Sequence, residues 1–156
     1  MKTFEGHYGA SGHKYALVAS RFNRPITQLL LEGVTDCLER HGALAADLTV
    51  AWVPGAFELA PVAKKMARSK KYDGVICVGA VIRGETAHFD YVASGAASGI
   101  MQVSLEVEDI PVIFSVLTTE TKEQAEVRAG TKGVNVGFQS ALALIEMVNL
   151  YRSLKT

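Results

Sequence analysis

The sequence predicts an α/β domain in which helices cover both faces of a parallel sheet. Three observations support this prediction. Apolar, β-branched runs alternate along the chain with segments of helical periodicity. The runs are apolar at consecutive positions, which is typical of strands that are buried on both faces. The chain has 156 residues, of which 49% are hydrophobic, so one domain can bury a substantial core. We therefore expect residues 1–156 to form a single domain.

Four segments are predicted to be strands, because each is a short apolar run rich in β-branched residues. They are Tyr15–Ser20, Leu48–Val53, Gly74–Ile82 and Pro111–Leu117. The crossovers between such parallel strands are expected to be right-handed.

The first two helices are predicted from the residues that begin and end them. Asn23 is expected to cap the first helix, with Pro25 in its first turn, and Gly42 supplies the C-terminal stop. Pro54-Gly55 forms a turn that leads into a second helix over roughly residues 56–68.

Three further helices are predicted in the second half of the chain. One runs from about residue 88 to residue 107. Thr121 and Gln124 form a capping box for a short helix that ends near Ala129. Apolar residues at helical spacing predict the last helix over about residues 134–154.

Composition and charge argue against several classes of function. The net formal charge is +0, which gives no long-range attraction toward nucleic acid or an acidic membrane. No run of 18 or more apolar residues appears, so no membrane span is predicted. The first residues, MKTFEGHYGASGHKYALV, lack the apolar core of a secretory signal. Cys37 and Cys77 lie within apolar patterns, which predicts buried thiols in a reducing cytosol. We therefore expect a cytoplasmic location.

The carboxyl ends of the predicted strands are the expected ligand-binding edge of the molecule, as in other parallel sheets. That rule directs attention to four segments, 20–23, 53–58, 81–88 and 114–119. No Cys, His and carboxylate spacing suggests a metal site, so no metal is expected. Three histidines without ligand-like neighbours are interpreted as structural or surface residues: His7, His13 and His41.

The segment VIRGETAHFDY, residues 81–91, turns a strand end into a helix start. Free backbone N–H groups and the helix dipole favour an anion there. Gly84 would let a ligand approach the backbone, Thr86 adds a hydroxyl donor, and His88 could move protons near neutral pH. The structural alternative makes Thr86 an N-cap, His88 a first-turn residue and Arg83 a solvated charge.

The other segments contain residues with both a functional and a structural interpretation. Phe57 could offer a flat apolar face and Glu58 an acceptor, or they could be a core aromatic and a dipole-compensating acid. Phe22 could stack on a ring or belong to the core. Arg128 could bind phosphate or merely favour a helix C-terminus. Together these residues suggest a planar polar substrate and a phosphorylated one.

Six motifs in fixed order closely resemble the lumazine synthase family. They are RFN at 21–23, WVPGAFE at 52–58, GAVIRGETAHFDY at 79–91, PVIFSVLTTET at 111–121, RAGTK at 128–132 and IEMVNL at 145–150. The resemblance runs from about Phe4 to Leu154 without large gaps.

The resemblance implies a fold and an activity. The implied fold is a flavodoxin-like, three-layer α/β/α unit with a four-stranded parallel sheet plus an N-terminal strand. The implied reaction joins 5-amino-6-(D-ribitylamino)uracil to 3,4-dihydroxy-2-butanone 4-phosphate. It gives 6,7-dimethyl-8-ribityllumazine, phosphate and water in riboflavin biosynthesis. Neither a cofactor nor a metal is implied.

The resemblance also implies roles for individual residues. His88 moves protons during condensation and elimination. Glu85 and Thr86 bind the butanone phosphate, with Arg128 as its cation. The residues implied for the ribitylaminouracil are the stacking Phe22, the ribityl-binding Ala56, Phe57 and Glu58, the pyrimidine-lining Ala80, Val81 and Ile82, and Phe114, which closes the ring pocket.

An oligomer follows from the same resemblance. The implied assembly is a homopentamer, and the length of the connection before the last helix favours a 60-subunit shell of such rings. Phe114 and Arg128 are then supplied by the neighbouring subunit. The small residues at 93–99 fit close packing around the ring axis, and riboflavin synthase is a candidate partner inside the shell.

One stretch departs from the family pattern. Val127 stands where glutamate is usual, Val136 where lysine is usual, and Gln139 where an acid is common. This departure motivates an alternative, a catalytically weak shell-forming or flavin-binding protein on the same scaffold. A flavodoxin-like electron carrier is disfavoured, because RFNRP replaces the Ser/Thr-rich loop expected after Ser20.

Overall fold

The sheet around which the chain folds has four parallel strands within residues 1–155, the part that the computed structural model describes. The strands are β1 (Tyr15–Ser20), β2 (Leu48–Val53), β3 (Gly74–Ile82) and β4 (Val112–Thr119). Their spatial order is β2-β1-β3-β4. The bounds of the first three match the prediction. The fourth strand ends two residues later than expected, because Thr118 and Thr119 continue the pairing with Val81 and Ile82.

Five α-helices connect and flank these strands in the described part of the chain. They are α1 (Arg24–Arg40), α2 (Leu59–Arg68), α3 (His88–Glu106), α4 (Lys122–Arg128) and α5 (Val136–Leu154). The predicted second helix begins with a 3-10 turn, Ala56–Glu58, before α2. A further 3-10 turn, Ala45–Asp47, precedes β2 and was not predicted. The other helix boundaries lie within two residues of those expected.

Two hydrophobic cores lie on opposite faces of the sheet. Alternate residues of each strand point to opposite faces, so Leu17 packs against α1 and α5 while Val18 packs against α2 and α3. Every residue of β1 is buried. The three-layer α/β/α arrangement predicted from consecutive apolar positions is therefore confirmed. Burial raises the pKa of Cys37 to about 11 and that of Cys77 to about 12, so both remain neutral thiols.

β1 is the strand at which the chain reverses its direction across the sheet. The connection after β1 leads to β2 on one side, and the connection after β2 returns past β1 to β3 on the other side. Loops that diverge in this way leave a crevice beyond the carboxyl ends of the strands. The segments after β1, β2 and β3 border this crevice.

The predicted N-terminal strand is not formed, because no residue before Tyr15 in the described chain belongs to the sheet. This segment packs on α5 instead. Asn149 Nδ2 donates hydrogen bonds of 2.9 Å to the carbonyl oxygens of His7 and Gly9. The backbone N–H of Ala10 donates to the carbonyl of His41 at 2.9 Å. Backbone groups that would pair in a strand are thus held by α5 and by the turn after α1.

The predicted side-chain cap of Asn23 is also wrong. Asn23 occupies the N-cap position of α1, but its side chain caps none of the described helix N–H groups. Its backbone is left-handed, with φ 57° and ψ 40°, a conformation that asparagine tolerates better than most residues. In that conformation Nδ2 donates to the carbonyl oxygen of Ala80 at 3.0 Å. Asn23 therefore ties the β1–α1 turn to the end of β3.

The capping box predicted for α4 is confirmed. Gln124 N donates to Thr121 Oγ1 at 3.1 Å, and Gln124 Oε1 accepts from Thr121 N at 3.3 Å. No helix within residues 1–155 combines the length and the apolar character that crossing a membrane requires.

Candidate active site

A cavity of about 710 Å³ opens at the carboxyl edge of the sheet. This volume suits a small-molecule ligand. Its walls come from the segments that follow three different strands. The lining residues are Phe22 and Asn23 after β1, Pro54, Gly55, Ala56, Phe57 and Glu58 after β2, Ala80, Val81 and Ile82 at the end of β3, and Gly84, Thr86, His88, Phe89, Tyr91 and Val92 after it.

Phe22 presents an exposed aromatic ring to this cavity. Its side chain is 72% exposed, so the interpretation as a core aromatic is wrong. Two backbone hydrogen bonds hold the turn against the end of β2. Arg21 N donates to Val53 O at 2.8 Å, and Phe22 N donates to Pro54 O at 3.0 Å. A flat apolar face fixed in this way can stack on a planar ligand.

The segment after β2 contributes an aromatic ring and a carboxylate. Glu58 Oε2 accepts a hydrogen bond of 2.9 Å from the backbone N–H of Gly55, which orients the carboxylate at the cavity wall. Phe57 is 61% exposed, which excludes its interpretation as a core residue. The ring lies against the backbone of α3, because a Cβ placed on Gly95 would be 2.8 Å from Phe57 Cε2.

Gly95 was noted in the sequence only as one of several small residues in a helix. Gly95 and Phe57 are 38 residues apart in the sequence (95 minus 57), so no local sequence pattern indicates their contact. The small residues at 93–99 were predicted to allow close packing around a ring axis, and that prediction did not include a contact between one of these glycines and a cavity residue.

The turn from β3 into α3 has the features expected of an anion site. Around Gly84 a Cβ would meet no atom within 4 Å, so space is open above the backbone. Thr86 Oγ1 accepts a hydrogen bond of 3.3 Å from His88 N, and Ala87 rather than Thr86 is the N-cap residue. Gly84, Thr86 and His88 all line the cavity. Glu85 lies between the first two without lining the cavity itself.

Phe114 and Arg128 lie apart from the other predicted site residues. Neither lines the cavity. Phe114 is 41% exposed and pairs with Cys77, five residues before Ile82, so it lies about 16 Å down the strand at roughly 3.3 Å per residue. Arg128 ends α4, where its Nη1 donates to the carbonyl of Gln124 at 3.2 Å. One chain therefore assembles most, and not all, of the predicted site.

Comparison with known proteins agrees with this geometry. Residues 12–152 match the family model of 6,7-dimethyl-8-ribityllumazine synthase. The chain belongs to the lumazine synthase family. Two relatives named 6,7-dimethyl-8-ribityllumazine synthase, from two strains of Clostridium kluyveri, are each 57% identical over 155 residues. The alignments cover 99% of this chain and 100% of each relative.

Membership of the lumazine synthase family confirms the predicted family and enzyme class. The chain is a transferase of riboflavin biosynthesis that acts on small molecules. The roles assigned to individual lumazine synthase residues remain predictions, and the cavity provides the geometry in which they can be tested.

Proposed function

We propose that this chain condenses 5-amino-6-(D-ribitylamino)uracil with 3,4-dihydroxy-2-butanone 4-phosphate in the cavity at the carboxyl edge. One observation carries the proposal. An exposed aromatic ring, Phe22, and a helix-initiating turn with a histidine, His88, face the same 710 Å³ space. The ring can stack on a planar pyrimidine, and the turn can bind a phosphate. These are the two groups that an enzyme of this reaction must recognise.

The pyrimidine half of the site is proposed to involve the following contacts. Phe22 stacks on the ring, and the backbone groups of residues 80–82 meet its polar edge. Ala56, Phe57 and Glu58 receive the ribityl chain, because an oriented carboxylate accepts hydrogen bonds from hydroxyl groups. Phe114 closes the ring pocket.

The phosphate half is proposed to lie on the β3–α3 turn. Glu85 and Thr86 bind the phosphate through this strand-to-helix turn, at the N-terminal end of α3 where the helix dipole favours an anion. Gly84 allows the ligand to approach the backbone. Arg128 supplies the cation, since its planar fork matches phosphate oxygens.

His88 is the proposed proton carrier of the reaction. The amino group of the uracil adds to the butanone carbonyl and, with loss of water, forms an imine. Loss of a proton from the neighbouring carbon then allows phosphate to leave. The enol left behind tautomerises to a ketone, and attack of the second nitrogen on this ketone, with loss of a second water, closes the ring. A neutral imidazole can accept the carbon proton and return it to a departing oxygen.

Holding both substrates together is expected to supply much of the rate. Well-oriented reactants gain up to roughly 7–11 kcal/mol relative to free encounter in solution. No cofactor or metal takes part in the proposed steps, since every step is an addition, an elimination or a proton transfer.

The site is proposed to be completed by a neighbouring subunit of a homopentamer, with such rings assembled into a 60-mer. The separation of Phe114 and Arg128 from the cavity supports this proposal. Exposed apolar side chains on α3, Tyr91, Met101 and Leu105, also favour association. We further propose a cytoplasmic location and riboflavin synthase as an enclosed partner.

The direct test mixes both substrates with the protein and follows lumazine fluorescence and phosphate release. The expected results are turnover by the wild type and a loss of about 10²–10⁴-fold in His88→Ala, the range typical of a lost acid–base group. Arg128→Ala should raise KM for the butanone phosphate. Arg40→Ala, which breaks a surface ion pair with Asp36 on α1, is the matched control. Unchanged rates in both site variants would refute the residue assignments.

The altered stretch 127–139 favours a second candidate, a catalytically weak shell-forming or flavin-binding protein. Val136 is the first residue of α5 and stands where the family usually has lysine. Tight ligand binding without turnover at saturating substrate would support this candidate. A large gain of rate in Val136→Lys would point the same way.

A further inference from the structure

Arg83 connects the two ends of the segment that contains the proposed phosphate-binding turn. Its Nε donates a hydrogen bond of 2.6 Å to Glu120 Oε2. Nη1 and Nη2 donate to the two carboxylate oxygens of Asp90 at 3.3 and 3.1 Å. Its Cζ also lies 4.4 Å from the centroid of the Phe89 ring, in cation–π geometry. The interpretation of Arg83 as a solvated charge is therefore wrong.

These contacts join three elements of the fold at one side chain. Arg83 directly follows β3, where its backbone N–H donates to Thr119 O at 2.9 Å and ends the pairing with β4. Phe89 and Asp90 lie in the first turn of α3, and Glu120 directly follows β4. The side chain thus closes the segment 83–90, which includes the turn and His88.

The contact with Phe89 connects Arg83 to the cavity. Phe89 lines the cavity and packs against the core shared by α2 and α3. It also follows His88 directly in the chain. A guanidinium that covers this ring and pairs with Asp90 therefore restrains the two residues immediately after the proposed proton carrier.

The charge of Arg83 is taken up by its carboxylate partners, which distinguishes it from a phosphate ligand. Three of its N–H groups point at Asp90 and Glu120. Hydrogen bonds with Asp90 and then Glu120 raise the pKa of Arg83, so it stays cationic. Without this cation, two carboxylates would stand uncompensated beside a turn that must accept an anion.

We propose that Arg83 is a positioning residue that holds the 84–88 turn in its phosphate-binding conformation and offsets the charge of Asp90 and Glu120. The proposal rests on the assignment of that turn to the butanone phosphate. Arg83 itself touches neither substrate.

The expected effect is on substrate binding rather than on stability. The side chains of Arg83, Asp90 and Glu120 are 36%, 60% and 62% exposed. Ion pairs this exposed contribute little to folding. Displacing a turn that contacts the phosphate, in contrast, directly weakens the contacts made there.

The test compares Arg83→Lys and Arg83→Met with the wild type by steady-state kinetics and inhibition by inorganic phosphate. Lysine keeps the charge but cannot make the paired fork with Asp90. We expect KM for the butanone phosphate and the inhibition constant of phosphate to rise on the order of tenfold. KM for the ribitylaminouracil and the melting temperature should stay unchanged, and Arg83→Met should be the more affected variant.

Two further variants make the result decisive. Arg40→Lys is the matched control, because Arg40 makes a comparable surface contact with Asp36 far from the cavity. Thr86→Val tests the underlying assignment independently of Arg83. If Thr86→Val weakens phosphate inhibition and Arg83→Lys does not, the role of Arg83 is refuted while the phosphate site stands.

Other outcomes also overturn the proposal. If the Arg83 variants raise KM for both substrates and also lower the melting temperature, Arg83 is a structural residue only. If Thr86→Val, Arg128→Ala and the Arg83 variants all leave phosphate inhibition unchanged, the phosphate assignment of the turn fails as well. Should Arg83→Met not fold, Arg83→Lys with Glu120→Gln provides the same comparison.

Discussion

The side chain of Phe57 depends on the absence of a side chain at Gly95. A Cβ at Gly95 would lie 2.8 Å from Phe57 Cε2 and 3.1 Å from Cδ2. Both distances are shorter than ordinary carbon contacts. Because Phe57 is 61% exposed, its ring can swing toward solvent instead of disrupting the core. The contact therefore concerns the shape of the cavity more than the stability of the fold.

Gly95→Ala is expected to raise KM for the ribitylaminouracil, because the displaced ring narrows or exposes the proposed ribityl pocket. Alanine favours a helix interior over glycine by about 1 kcal/mol, so the melting temperature should not fall. Gly99→Ala, one turn later in α3, is the control, since its added Cβ would meet Ala60 rather than a cavity residue. Equal KM values in all three proteins would show that Phe57 does not shape the pocket.

His13 makes the stability of the chain depend on pH. It is 5% exposed at the base of β1, with Nδ1 3.2 Å from the hydroxyl of Tyr15. Burial is the main cause that lowers the pKa of His13. The charge of Arg152 and that of His7 lower it further, and Asp73 opposes them. The folded state therefore binds a proton at His13 less readily than the unfolded chain does.

The sign of this effect predicts a loss of stability in acid. The contribution of neutral His13 to the free energy of unfolding is fully present above the unfolded pKa of about 6.5. It declines as the pH falls below that value. His13→Gln should weaken the acid dependence of the melting temperature between neutral and mildly acidic pH. His88→Gln, at an exposed position and not among the groups that shift the pKa of His13, is the control. An unchanged pH profile in His13→Gln would remove His13 from this role.

At the scale of elements, Asn135 connects α1, the α4–α5 loop and α5. Its Nδ2 donates to the carbonyl oxygens of Leu29 and Ala129, both at 2.9 Å. Its Oδ1 accepts from Phe138 N at 3.2 Å and caps α5. One amide side chain thus satisfies backbone groups from three segments, within the stretch that departs from the family pattern.

Asn135→Asp is expected to destabilise the chain by about 1–3 kcal/mol, because a carboxylate keeps the cap but cannot donate to the two carbonyls. Denaturant unfolding measures this change. Thr121→Ala, which removes the cap of α4, should cost about 1 kcal/mol and serves as a comparison. A smaller loss of unfolding free energy in Asn135→Asp than in Thr121→Ala would show that the hydrogen bonds of Asn135 to the three segments contribute little to stability.

The strands were more predictable than the contacts at their ends. The bounds of β1, β2 and β3 could be predicted from composition alone, because their apolar runs stop at polar or turn residues. The left-handed conformation of Asn23 could not be predicted, because asparagine is equally suited to a side-chain cap. The partners of Arg83 were also hidden, because Glu120 is 37 residues away and meets it only through the pairing of β3 with β4.

At the scale of the whole molecule, one chain provides an incomplete version of the predicted site. The sequence identified the residues that gather at the carboxyl edge, because each follows a strand whose end could be located. It could not show that Phe114 lies about 16 Å from that edge, since this follows from strand register. Resemblance to the family, rather than local pattern, pointed to the neighbouring subunit.

Mixed oligomers of two impaired variants are expected to recover activity. If His88 and Arg128 come from different subunits, equal amounts of His88→Ala and Arg128→Ala, dissociated and reassembled, should leave about a quarter of the sites intact. Each variant reassembled alone is the control. A mixture no more active than its components would place both residues in the same chain's site.

Three residues belong both to the hydrophobic cores and to the lining of the cavity: Ala56, Ala80 and Val81. Phe22 and Phe57, in contrast, are 72% and 61% exposed and can vary without opening a hole in the core. Substitutions that change the substrate preference of the enzyme are therefore expected to differ in their cost to stability. Substitutions at Phe22 or Phe57 should alter ligand preference with little change in the free energy of unfolding. A smaller residue at Val81 should enlarge the pocket but also lower the stability of the fold.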